Sequence, residues 1–130
     1  MTIRRNLQEK ALLKESTLSN MMLSKVSTSE ELTNQMWLIT KEIFYSFGSI
    51  DALIFRAITV VIAKREEGWS FRIILEDFDG RREIESKEML MKTGNLSPDM
   101  KALKVLGEKE GLTFISLAES EEYAFSIENT

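Results

Sequence analysis

The spacing of apolar residues changes once along the chain, and that change limits the folds open to it. Leu32, Met36, Ile39 and Ile43 recur at four, three and four residues, which places them on one face of a helix. From Ala57 the period drops to two. Ile58, Val60 and Ile62 point one way and Thr59 and Val61 the other, as in a strand. A helical pattern and a strand pattern cannot substitute for each other, so the chain must lay helices against a sheet.

Element limits follow from local chemistry. A first helix is expected over residues 3–24, where Leu7, Ala11, Leu18 and Met22 form a thin apolar stripe. The second begins at a capping box, either Ser27 with Glu30 or Thr28 with Glu31, and is expected to end at Gly48. Trp37, Phe44, Tyr45 and Phe47 widen its apolar face. Residues 50–56 read as a short helix capped by Ser49. Ile58 and its neighbours are apolar on both sides, so that strand is expected to be covered on both faces. Lys64 to Gly68 is a turn, after which Trp69, Phe71, Ile73 and Leu75 alternate inward. Within residues 81–96, a third strand is expected over Arg81–Glu85 and a helical turn over Lys87–Met91. Ser97 reads as an N-cap with Pro98 at the first helical position, and Gly111 as the stop. Leu112–Ala118 and Tyr123–Glu128 read as a closing hairpin. The expected fold is α+β: a two-layer α/β sandwich with a mixed sheet of four to five strands. Helices cover one of its faces, and N-terminal helices precede it. At 130 residues a single domain is expected, with a helical part over 1–48 and an α/β part over 49–130.

Composition removes much chemistry. The chain has no Cys and no His. Disulfides, thiolate metal sites, cysteine nucleophiles, Ser-His triads and phosphohistidine are therefore excluded. No apolar run is long enough to span a bilayer and no signal-type segment is present, so a cytoplasmic location and no membrane partner are expected. The net charge of −4 argues against nucleic acid as a partner. The charge is also unevenly spread. Residues 1–26 carry +3, with Arg4 and Arg5 at the start, and the remainder carries −7. A basic arm and an acidic remainder fit an oligomer or a protein partner.

Local motifs are sparse. Glu76-Asp77-Phe78-Asp79-Gly80 gathers carboxylates in a turn, but Asp and Gly are also ordinary turn residues, and no metal site is expected there. No phosphate-cradling glycine loop is present. Met89 and Met91 are candidates, with Arg4 and Arg5, for a partner surface, because methionine adapts to varied surfaces.

From Trp37 onward the chain resembles the ATP-binding domain of sensor histidine kinases, the GHKL or Bergerat fold. Trp37 to Ser46 is similar to that family's first helix, with Glu42 at its Glu position. Ile58 to Gly80 is similar to the strand pair and Asp loop, and Ser97 to Ile127 to the last helix and hairpin. The resemblance implies nucleotide-binding positions at Glu42, Ser46, Asp77, Asp79 and Gly80, with ATP and Mg2+ as ligands. Ser46 replaces the family's Mg2+-binding Asn, the loop lacks its second Gly, and the glycine-rich lid is missing. The expectation is therefore a non-catalytic regulatory or protein-interaction module, dimeric and without a resident cofactor. The alternatives are a nucleotide-binding or phosphotransfer signalling protein, a small acidic secretion-type chaperone and a hydrolase working through carboxylates.

Overall fold

The structure, a computed structural model, describes residues 25–50, 55–77, 83–117 and 121–128. The first helix expected over 3–24 lies outside them. The described elements run α1 (Ser29–Ile50), β1 (Phe55–Arg65), β2 (Gly68–Asp77), β3 (Glu83–Glu85), β4 (Met89–Lys92), α2 (Met100–Lys109), β5 (Thr113–Leu117) and β6 (Glu122–Glu128). The chain is therefore α+β, as its two periods require.

Helix α1 starts where the capping signal predicts. The Thr28 hydroxyl accepts the Glu31 N–H at 3.1 Å, and the Glu31 carboxylate reaches back to the Ser27 N–H at 3.5 Å. The helix passes Gly48 and is described to Ile50, the last residue before 51–54, which lie outside the described residues. Ser49 and Ile50 thus belong to α1, and Phe55 and Arg56 open β1, so the short helix expected over 50–56 is not present at either end. A glycine costs only about 1 kcal/mol inside a helix, which upstream packing readily outweighs. For α2 the cap is Asp99, whose carboxylate accepts the Ala102 N–H at 3.1 Å. Ser97 and Pro98 come before the helix rather than opening it.

The sheet is antiparallel in every described pairing, not mixed. Its order is β3-β2-β1-β6-β5, and β4 also pairs with β2. Strands β3 and β4 share one edge, lying end to end along β2. The connections β1–β2, β2–β3 and β5–β6 join neighbouring strands, while the segment carrying α2 crosses from β4 on one edge to β5 on the other. The helical turn expected over Lys87–Met91 is strand instead, because Met89 and Met91 alternate with Leu90 and Lys92 against Trp69 and Phe71.

Register places Ile58, Val60 and Ile62 of β1 beside Leu75, Ile73 and Phe71 of β2, and beside Ile127, Phe125 and Tyr123 of β6. Leu32, Met36, Ile39 and Ile43 of α1 and Leu103 of α2 join this face in one core. Gly107 of α2 sits against Phe125; a β-carbon there would lie 2.5 Å from the ring, so the helix can approach only without one. Gly68 plays the same part in β2, where a β-carbon would lie 2.0 Å from the Met91 carbonyl oxygen. An aromatic row completes this layer. The Phe114 ring stands 5.1 Å from Phe125 and 6.0 Å from Tyr123, and the Trp69 ring 6.0 Å from Tyr123.

On the opposite face Ala57, Val61, Ala63 and Ala124 are small and buried. Arg56 pairs with Glu76, and Arg72 with Glu85. Among the described residues no helix is long and apolar enough to cross a membrane.

Truncating the core and truncating the surface should have very different costs. Met36→Ala is expected to lose about 2–5 kcal/mol in urea denaturation, whereas Val105→Ala, at a half-exposed position, should stay within about 0.5 kcal/mol.

Candidate functional site

The two edges of the sheet are built differently. On the β2 side, β3 and β4 are only three and four residues long and carry Glu83, Glu85 and Lys92. Ser86 joins them. Its hydroxyl accepts the Ile73 N–H at 2.8 Å, and its own N–H donates to the Ile73 carbonyl at 2.9 Å. Short, charged and interrupted strands are a common way to keep a sheet edge from pairing with other chains.

On the other side, β5 reads Thr113-Phe114-Ile115-Ser116-Leu117. It is the only described strand without a charged residue. Among the described strands it pairs with β6 alone. Ile115, at its centre, remains 44% exposed. Residues 113–117 form a strand because β-branched and aromatic side chains follow Gly111, whose φ of +82° turns the chain out of α2. An uncharged edge strand presents backbone donors and acceptors to any extended segment that can reach it.

A second cluster sits where β4 meets β2. The Ser70 hydroxyl donates to Glu88 Oε1 at 2.6 Å, and Arg65 Nε donates to the same oxygen at 2.6 Å. Ser70 is buried, while Arg65 and Glu88 are each exposed enough to meet solvent. These partners, the Ser70 hydroxyl first, hold the Glu88 carboxyl below its ordinary range against a smaller opposing effect of desolvation. The group ties the start of β4 to β1 and β2. Among the described residues no cluster of three or more acidic side chains could hold a metal ion.

The residues singled out from sequence are spread over the fold. Glu42 lies on the flank of α1, half-buried, between the core positions Ile39 and Ile43. Ser46 is one turn further along α1. Asp77 is the last residue of β2, paired with Phe55. Asp79, Gly80, Arg4 and Arg5 lie outside the described residues. Met89 and Met91, expected on a partner surface, are 7% and 1% exposed and belong to the core. Strand alternation turns both toward α1, and the side chain left at the surface is Leu90. The β5 edge was missed as a site. Its lack of charge was visible in the sequence, but its place at the end of the sheet was not.

No family model matches the chain, and neither does any curated protein or solved structure. The residues themselves must therefore support any functional reading.

The lowered Glu88 acidity has a defined pH signature. Its stabilisation is complete above the ordinary carboxylate range of about 4 and disappears as pH falls through the lower folded-state value. Glu88→Gln should thus be less stable than the parent at neutral pH, by up to about 1 kcal/mol for so exposed a pair. The difference should close in strong acid when urea denaturation is repeated across pH.

Proposed function

We propose that the chain is a non-catalytic protein-interaction module of regulatory type, which takes an extended polypeptide segment along β5. The observation that carries this reading is the contrast between the edges. One is short, interrupted and charged, and the other is uncharged with Ile115 exposed at its centre. Charged, short edge strands prevent pairing, so a single edge left without these features is adapted to pair. Strand addition needs only backbone groups for affinity and alternate side chains for selectivity. It therefore suits a chain that lacks His and Cys.

The resemblance to sensor-kinase ATP-binding domains leads elsewhere. It would place nucleotide against Glu42, Ser46, Asp77, Asp79 and Gly80, and ATP with Mg2+ would then raise the melting temperature. The interaction reading expects no shift at millimolar nucleotide.

The direct test is cross-linking mass spectrometry on complexes recovered from the native host. Cross-links should map to the β5 side of the sheet. Ile115→Lys should remove the bound protein without lowering thermal stability by more than a few degrees, and Leu90→Lys on the opposite edge should leave binding intact. Binding that survives Ile115→Lys would refute β5 as the docking edge.

A further inference from the structure

We infer that β5 pairs with β5 of a second copy of this chain, antiparallel and in register about Ile115. This rests on the reading of β5 as an interaction edge and names the occupant of that edge.

Three observations carry it. First, β5 is self-compatible. Antiparallel pairing centred on Ile115 sets Ile115 against its own counterpart, Thr113 opposite Leu117, and Phe114 opposite Ser116. No charge meets a like charge in this arrangement, as would happen if β3, with Glu83 and Glu85, paired with itself about Ile84. Second, an antiparallel edge-to-edge contact generates a two-fold axis perpendicular to the sheet, which is the closed, isologous symmetry most homodimers use. The same rotation keeps both helical layers on one face. Helix α2 packs on β5 and against Phe125, so it is brought toward its symmetry mate and the contact extends beyond five residues of backbone. Third, the opposite edge is blocked by β3 and β4, so pairing closes at two copies instead of propagating into a fibre. Ile115, which lies on the axis, would lose its exposure against the partner copy's Ile115.

The absence of native cysteine makes this arrangement directly testable. A residue on the axis faces itself across about 4.5–5.5 Å between α-carbons, within disulfide reach. Full-length Ile115→Cys should oxidise to a dimer of about twice the monomer mass on a non-reducing gel, while Leu90→Cys should remain monomeric. By light scattering after size exclusion, the parent should be a dimer. Ile115→Lys and Ile115→Glu should each be monomers, because like charges are then directly opposed, and their equimolar mixture should recover the dimer. Failure of the charge-swap mixture to restore the dimer would count against Ile115 on the axis, as would cross-linking through Leu90→Cys in place of Ile115→Cys. A parent that is monomeric, yet captures a host protein cross-linked to β5, would overturn self-pairing and leave the interaction module standing. A parent dimer that persists in both charged variants would overturn the pairing as well.

Discussion

Ile58, Val60 and Ile62 are fully buried because β1 is hydrogen-bonded along both edges and covered by α1. Much of the fold depends on that position. The strand in the middle fixes the register of β2 on one side and β6 on the other. Those registers bring Phe71, Ile73 and Phe125 to the face where α1 lies. A slip of one residue would turn all of these side chains to the opposite face, away from α1 and the apolar core it shares with them. The apolar core therefore sets the register as well as supplying the stability.

A few polar contacts then place α2 and the long connection before it. The Thr33 hydroxyl donates to the Ser29 carbonyl and accepts the Asp99 N–H, both at 2.8 Å, joining α1 to the cap of α2. Ser29 also bonds the Ser97 carbonyl. Trp69 Nε1 donates to the Leu96 carbonyl at 2.9 Å, and Lys64 Nζ donates to the Gly94 carbonyl at 2.9 Å. Residues 93–99 are thus held from three elements, which is why Asp99 rather than the earlier serine caps α2. At the far end, the Tyr45 hydroxyl donates to Glu110 at 3.2 Å. The two helices are tied near both of their ends, and Gly107 lets the span between these ties settle onto Phe125.

Most elements were legible from periodicity, and the misreadings have physical causes. Met89 and Met91 sit in a run of only four strand residues, too short for a period of two to be told from a helical turn. Tertiary pairing with Trp69 and Phe71 decided it. Gly48 read as a stop because glycine favours helix ends, but the buried row Leu32, Met36, Ile39 and Ile43 stabilises α1 enough to carry it two residues further. The candidate site was hardly legible. Carboxylates drew attention by their number, yet Glu42 and Asp77 fall in different elements, while β5 is composed of residues that in any interior strand would be unremarkable.

The sequence by itself determined that helices must pack on a sheet, which residues of β1 and β2 face the core, and that chemistry needing His or Cys is closed to this chain. These follow from local spacing and composition, which act over a few residues. Only the tertiary structure decided the antiparallel strand order and, with it, which strand ends the sheet. Strand order depends on contacts between residues distant along the chain, such as Ile58 with Ile127, and no local pattern encodes the choice between neighbours. An uncharged strand is interior when paired on both sides and an open edge when paired on one, so the meaning of Thr113 to Leu117 rests on its place in the sheet.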